Sequence, residues 1–153
     1  IAGDRWKKSH DQSIMQSYAR SSNLDFYHST LKPVLFSEYT HLADLNIAII
    51  QCVLDYLEIE TRITRASSLQ CAGDKEERVL DICRQLDASI YLSGEGARVY
   101  QSESRFEENG IKLVYHQQTT REYRQCHMKG GFTQGMSILD LLLNMGKDAR
   151  SFL

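Results

Sequence analysis

The feature that most constrains the fold of this chain is the alternation of amphipathic helical patterns with short apolar runs in its second half. The helical pattern "CAGDKEERVLDICRQLDA" precedes "SIYL", "VYQSESRFEENG" precedes "IKLVYHQ", and "SILDLLLNMG" closes the series. Short apolar runs between helices are typical of buried parallel strands. The sequence therefore predicts an α/β layer in which helices and strands alternate.

A third strand is predicted earlier, where Ile59, Thr61 and Ile63 alternate in "IETRITRASS" and the strand would end at Ser67-Ser68. Two helices precede it, one capped by Asp4 and a long one that starts near Pro33. Right-handed crossovers would run all three strands in one direction. We expect an α/β fold, with a largely parallel sheet flanked by helices in three layers. No linker or repeat interrupts residues 1–153, which favours a single domain.

Charge and cysteine content narrow the classes of partner. The chain has 18 basic and 20 acidic residues, so no global field draws it to nucleic acid or an anionic membrane. No apolar run is long enough to span a membrane. The four cysteines form no C-x-x-C pair and no zinc-binding pattern, so we expect no metal site and a reducing, cytoplasmic location. Cys52 and Cys83 lie on apolar helix faces and are expected to be buried.

Open parallel sheets bind ligands beyond the carboxyl ends of their strands, and one such end carries a glycine-paired loop. In "YLSGEGARVY", Ser93, Gly94 and Gly96 follow the predicted strand directly. Glycines allow a ligand to approach the backbone closely, so the loop is a candidate substrate site. The alternative is a strand-to-helix turn that needs positive φ. The third glycine of a dinucleotide motif and the lysine of a P-loop are both absent from this pattern.

Other polar residues follow the predicted strand ends or lie on the last helix. Ser67 and Ser68 could donate hydroxyls, with a simple turn as the alternative. Tyr123 and Gln125 follow the last strand, and His116 and His127 flank that loop, where a histidine suits proton transfer. Asp140 and Asn144 lie four residues apart between leucines. The alternative for Asp140 is a capping box with Ser137, on a helix that Gly146 ends.

The chain resembles the WbqC-like family, which is named for proteins encoded in bacterial O-antigen gene clusters. The resemblance rests on segments in the family's order, above all "WKKSHDQSIMQSY", "LEIETRITRASSL", "LDICRQLDASIYLSGEGARVY" and "GGFTQGMSILDLLLNMG". Family members begin with a strand and a loop similar to H-Q-P-x-Y-L-P-W, and this chain does not contain that loop. The resemblance implies that residues 1–153 are the later two-thirds of the family domain.

The resemblance also implies a function, a transferase that modifies a nucleotide-activated amino sugar for surface polysaccharide. Asp140 or His116 would move the proton. The residues that would bind substrate are Ser67, Ser68, Ser93, Gly94, Gly96, Tyr100, Tyr123, Gln125 and Asn144. The substrate would be a sugar nucleotide or an activated acyl donor, and the cofactor stays unknown. A nucleotide-dependent ligase or nucleotidyltransferase and a non-catalytic binding module remain alternatives. An uncovered sheet edge could pair two copies, so a homodimer stays open.

Overall fold

The structure is a computed structural model that describes residues 3–117, 121–126 and 130–153. The chain divides into two compact units. Unit 1 consists of Ile1–Thr61 and Thr120–Leu153, and unit 2 is the continuous segment Arg62–Thr119. Each unit has a hydrophobic core of its own. The single domain expected from the sequence stays a prediction.

Helices dominate the described residues, and the strands are confined to unit 2. In chain order the elements are α1 (Arg5–Ser17), α2 (Leu24–Phe26), a π-helical turn (Tyr27–Leu31), α3 (Lys32–Phe36), α4 (Leu42–Tyr56), a 3-10 turn (Ala66–Ser68), α5 (Lys75–Gln85), β1 (Ile90–Gly94), a second 3-10 turn (Glu95–Ala97), α6 (Glu103–Glu108), β2 (Lys112–His116), α7 (Ile138–Met145) and a final 3-10 segment (Gly146–Phe152).

Unit 1 packs the helices of its first segment around α7. Its core contains Phe26 and Tyr27 from the helical segment before α4, and three consecutive leucines, 141–143, from α7. The long helix predicted from Pro33 onward is interrupted, because Ser37 is extended with ψ 159° and the helix resumes only at Leu42. Pro33 lies in the first turn of α3, where its missing N–H is tolerated.

Unit 2 is built around two parallel strands. Ile90 pairs with Lys112 at one end of the register and Gly94 pairs with His116 at the other. Side chains alternate across a strand, so Tyr91 and Leu113 share one face. That face packs against the buried residues of α5, α6 and the turn before β2, which are Leu80, Cys83, Phe106 and Ile111. The opposite face carries Ile90 and Leu92, which are 59% and 61% exposed.

The α/β class and the parallel direction of the sheet are confirmed, and the three-layer arrangement stays a prediction. The strand predicted around Ile59–Ile63 is wrong, because residues 59–65 contain no strand. The backbone N–H of Ile59 instead donates to Leu54 O at the end of α4, and its side chain packs on the core of unit 1. The apolar Ile59 that suggested a strand is thus a half-buried residue that follows the end of α4.

Two of the predicted helices, one in each unit, begin where the sequence predicts. Asp74 immediately precedes α5 and Ser137 immediately precedes α7, and the Ser137 hydroxyl accepts from the Leu139 N–H. Cys52 and Cys83 are buried as expected. Within the described part of the chain, no helix has both the length and the apolar character needed to cross a membrane.

Candidate functional site

The predicted site residues fall into two groups, one in each unit. The unit 2 group contains Ser67, Ser68, Ser93, Gly94, Gly96, Tyr100 and His116, and the unit 1 group contains Tyr123, Gln125, Asp140 and Asn144. His127 lies outside the described residues.

The glycine-paired loop lies where β1 ends and the 3-10 turn Glu95–Ala97 begins. Neither Gly94 nor Gly96 has a positive φ, and Gly94 is extended with φ −78° and ψ 149°. No protein atom lies within 4 Å of the position that a Cβ would take at either residue. The loop is thus a strand-to-turn connection, as the alternative expected, but positive φ is not what requires its glycines. Neither backbone conformation nor internal packing requires glycine here.

This loop borders a cavity of about 860 Å³ in unit 2. The cavity has an apolar side, formed by Val79, Tyr91, Ala97 and the ring of Tyr100, which is 69% exposed. Its remaining lining residues are polar or lack a side chain, and they are Lys75, Glu76, Ser93, Gly94, Gly96 and Gln101. Four of the predicted substrate-binding residues thus line one concave surface. Mixed cavities of this size are typical of small-molecule sites.

The polar part of the cavity is ordered by one internal hydrogen bond. Ser93 is 5% exposed, and its hydroxyl donates to Gln101 Oε1 over 2.9 Å. Ser93 shares the helix-covered sheet face with Tyr91, because side chains at every second strand position point the same way. The bond connects β1 with the segment after the glycines, so it fixes both sides of the loop.

Glu76 fastens the far end of the loop to α5. Its carboxylate accepts from the Ser102 N–H at 2.6 Å through Oε2 and from Arg105 Nη1 at 2.8 Å through Oε1. Its side chain is only 10% exposed, so these bonds lie largely out of water. The segment between Gly94 and Ser102 is therefore anchored at both ends.

His116 and the two early serines are placed differently from the loop residues. His116 pairs with Gly94 in the register, so its side chain projects from the sheet face opposite to Ser93. Ser67 and Ser68 lie in the 3-10 turn Ala66–Ser68, and the Ser68 hydroxyl donates to Arg65 O at 2.7 Å. Neither serine follows a strand, and neither is among the residues that line the cavity.

In unit 1, Asp140 is the centre of a buried polar cluster. It is 4% exposed, and Oδ1 accepts from the Tyr18 hydroxyl at 2.8 Å. Oδ2 accepts from the Tyr123 hydroxyl at 2.6 Å and from Gln125 Nε2 at 2.9 Å. Burial, together with the bond to Asp140, raises the pKa of Tyr123 to about 12 and also raises the pKa of Tyr18. All three donors are neutral groups, and Asp140 also lies in the first turn of α7, where the helix dipole favours a carboxylate.

Of the two contacts expected in a capping box, only the one made by Ser137 is present, and the one expected from Asp140 is not. Ser137 caps α7, but the Asp140 side chain turns toward Tyr18, Tyr123 and Gln125. Asn144 lies one turn later, where its Oδ1 accepts from the Cys126 N–H at 2.7 Å and its Nδ2 donates to Asp140 O. The unit 1 group of predicted residues therefore meets in one place, on one side of α7.

Three polar or charged residues of the cavity were missed by the sequence analysis, namely Lys75, Glu76 and Gln101. Lys75 and Glu76 directly follow the predicted cap Asp74, so a search of the residues after each helix start would have found them. Gln101 carries no signal in the sequence, because its role depends on the contact with Ser93. The described residues contain no group of three or more His, Cys, Asp or Glu side chains that could hold a metal ion.

Comparisons with known proteins identify the family of the chain. The model of the WbqC-like protein family matches residues 1–152. The uncharacterized protein Rv1507c of Mycobacterium tuberculosis strain H37Rv is 33% identical over 155 residues, and the match covers 100% of this chain. The chain spans 66% of that relative's length. No solved structure matches significantly. The chain belongs to the WbqC-like protein family.

Proposed function

We propose that this chain carries the substrate-binding pocket of a transferase that modifies a nucleotide-activated amino sugar during the synthesis of surface polysaccharide. The family takes its name from proteins of O-antigen gene clusters, which supports the polysaccharide context. The chain spans 66% of its relative's length, so the proposal concerns an activity of the whole protein. The pocket is the cavity bordered by Ser93, Gly94, Gly96 and Tyr100.

One observation carries the proposal, namely the two glycines that the protein's own structure does not require. Glycine costs roughly 0.5–1 kcal/mol relative to alanine inside a regular element. Gly94 closes β1 with ordinary φ, and open space surrounds the Cβ positions of both glycines. A ligand that lies close to the backbone would explain both glycines, because a side chain at either position would block its approach. The exposed ring of Tyr100 beside them offers a flat surface for a sugar or a base.

The two proton carriers expected from the sequence, His116 and Asp140, are not among the residues that line the cavity. Transfer of an acyl group to an amino sugar releases one proton from the attacking amine, and a group near the reacting nitrogen must accept it. His116 is exposed and lies next to Gly94 across the sheet. Asp140 is buried and already accepts three hydrogen bonds. The His116 side chain projects from the sheet face opposite to Ser93 and does not line the cavity, so neither residue is assigned the proton within this proposal.

The experiment is a thermal-shift screen of the protein against UDP- and dTDP-amino sugars, ATP and acyl-coenzyme A. A ligand that binds only the folded state raises the melting temperature by mass action. The screen is repeated on Gly96→Val, which would place two methyl groups in the pocket. The matched control is Gly130→Val, because Gly130 also lacks positive φ and any atom within 4 Å of its Cβ position.

The outcomes separate the candidate functions. A shift with a nucleotide sugar that is lost in Gly96→Val and kept in Gly130→Val supports the transferase. A shift with ATP alone favours the ligase or nucleotidyltransferase. No shift with any of these classes contradicts the proposal and favours a non-catalytic binding module.

A further inference from the structure

The cavity beside the glycine loop has an unbalanced charge. Its lining contains one lysine, Lys75, and one carboxylate, Glu76. Glu76 is engaged by Arg105 and by the Ser102 N–H, so its charge is already compensated. Lys75 is exposed and forms no hydrogen bond or ion pair with any residue that the structure describes. The cavity therefore offers one cation that lacks a counter-charge.

The neutral polar groups of the cavity are also arranged as donors. Because the Ser93 hydroxyl donates to Gln101 Oε1, the oxygen of the Gln101 amide is occupied. The amide nitrogen has no hydrogen-bond partner among residues 3–117, 121–126 and 130–153. An ammonium group and an amide N–H are thus available to a ligand, whereas the carboxylate is not. This combination complements oxygen atoms that carry negative charge.

The backbone of Lys75 adds an observation that local sequence does not explain. Its φ is +46°, although non-glycine residues rarely adopt positive φ. Such strain is concentrated at functional sites, where the surrounding structure holds a residue in place for a ligand. Gly73, two residues earlier, has a φ of +74°, so the backbone is left-handed just before α5 and again at the first residue of α5.

We propose that Lys75 and Gln101 bind the phosphate groups of the ligand, so that the cavity selects a diphosphate-linked compound over the corresponding neutral sugar. This inference rests on the proposed function, since it assigns the charged part of a nucleotide sugar to named residues. The flat part of the ligand would lie against Tyr100 and Val79 on the apolar side. Lys75 and Gln101 are then specificity-determining residues rather than catalytic ones.

The experiment measures binding of inorganic pyrophosphate by isothermal titration calorimetry, with UDP-glucosamine and free glucosamine as companion probes. The variants are Lys75→Met, Gln101→Leu and Lys75→Arg. Lys112→Met is the matched control, because Lys112 is the other lysine of unit 2, is exposed and is not a lining residue of this cavity. A charge-assisted hydrogen bond corresponds to about tenfold or more in affinity, so Lys75→Met should weaken pyrophosphate binding by that factor.

The expected result is a loss in Lys75→Met and Gln101→Leu, recovery in Lys75→Arg, and unchanged binding in Lys112→Met. Binding should also weaken as salt is added, since an exposed cation is screened. Circular dichroism of each variant establishes that it is folded, and Lys75→Arg provides a second comparison at the same position.

Two results would overturn the inference, and they are distinguishable from failure of the proposed function. If wild-type protein does not bind pyrophosphate, the phosphate assignment is wrong, whatever UDP-glucosamine does. If UDP-glucosamine binds wild type and Lys75→Met equally, the pocket binds its ligand without this lysine, and only the assignment fails. If pyrophosphate binds through Lys75 while no nucleotide sugar binds, the assignment holds and the proposed substrate of the transferase is wrong.

Discussion

The hydroxyl of Tyr18 lies 2.8 Å from Oδ1 of Asp140, although 122 residues separate them in the chain. On the other carboxylate oxygen, Tyr123 and Gln125 donate from the segment before α7. One buried carboxylate therefore joins three parts of unit 1, namely the residue after α1, the segment 121–126 and α7. Its hydrogen bonds determine where these parts meet.

Replacing Asp140 by asparagine should destabilise unit 1. The amide is nearly isosteric, but its NH₂ group would face hydrogen-bond donors, since Tyr18, Tyr123 and Gln125 all donate to the carboxylate. The charge-assisted hydrogen bonds would also be lost. We expect the free energy of unfolding in urea to fall by about 2 kcal/mol. Asp148→Asn, an exposed change in the same unit, is the control and should have little effect. Unchanged stability together with lost activity would instead indicate a direct role of Asp140 in the reaction.

The buried tyrosines predict a loss of stability at high pH. Burial and the bond to Asp140 raise the pKa of Tyr123 to about 12, and the pKa values of Tyr18 and Tyr27 are raised in the same direction. A raised pKa in the folded state stabilises the protein fully below the unfolded pKa of about 10. That contribution is lost as pH rises from about 10 through 12.

Ultraviolet titration of tyrosinate measures this effect. The chain has eight tyrosines. We expect Tyr18, Tyr27 and Tyr123 to ionise only above the ordinary tyrosine pKa, together with loss of the folded circular dichroism signal. In Tyr123→Phe one late-titrating group should disappear. A single transition near pH 10 for all tyrosines would contradict the buried cluster.

Two glycine substitutions should have opposite effects on stability. Gly146 has a φ of +59°, and a Cβ there would lie 2.5 Å from Oδ1 of Asn23, so Gly146→Ala should destabilise the protein. A strained position of this kind costs about 1–3 kcal/mol. Gly96→Ala meets no atom and no strained backbone, so it should stabilise the folded state by about 0.4–1 kcal/mol. Thermal unfolding of both variants tests the contrast, and a destabilised Gly96→Ala would show that the loop needs its glycine for folding.

The hydrogen bonds by which Glu76 holds the end of the glycine loop can be tested by removing its negative charge. In Glu76→Gln, either Arg105 or the Ser102 N–H would lose its charged acceptor in a largely buried place, which we expect to cost about 1–3 kcal/mol. Glu77→Gln is the control, because Glu77 is 43% exposed and its pairs with Arg84 and Arg105 are surface pairs. Hydrogen exchange of the Ser102 amide should accelerate in Glu76→Gln and stay unchanged in the control.

Thiol labelling checks the burial of the cysteines. Cys52 and Cys83 are buried, and burial raises the pKa of both thiols, which lowers the fraction present as reactive thiolate. Cys71 and Cys126 are partly exposed. With an aromatic disulfide reagent at neutral pH, Cys71 should react first, and Cys52 and Cys83 should react only on unfolding. Mass spectrometry of the labelled peptides identifies the order, and early labelling of Cys83 would contradict the packing of α5 on β1.

The elements that the sequence predicts well are those whose pattern is fixed by local chemistry. The helix that begins after Asp74, the helix that begins after Ser137 and the two apolar strands all lie where expected. The failures occur where the outcome depends on distant partners. Ile59 alternates like a strand residue, but it packs on the helices of unit 1 and has no neighbouring strand to pair with.

In the candidate site, too, the features fixed by local sequence were predicted and those that depend on distant residues were not. Gly94 and Gly96 were recognisable, because a glycine pair after a strand is a local signal. The contact between Ser93 and Gln101 and the meeting of Tyr18 with Asp140 depend on how separate elements pack, which spacing does not encode. The role of Asp140 is a clear case, since its place in the first turn of α7 predicts a capping contact that tertiary hydrogen bonds replace.

The division of the chain into a continuous unit 2 and an interrupted unit 1 has a consequence for the order of events during synthesis. The core of unit 1 joins residues such as Phe26 and Tyr27 to the three leucines of α7, more than a hundred positions later. The core of unit 2 joins residues between Leu80 and Ile111 only. A chain emerging from the ribosome can therefore close unit 2 while the first helices still lack their partner, and such long-range closure is slow. Unit 1 acquires its core last, and until then Phe26 and Tyr27 lack the leucines that bury them.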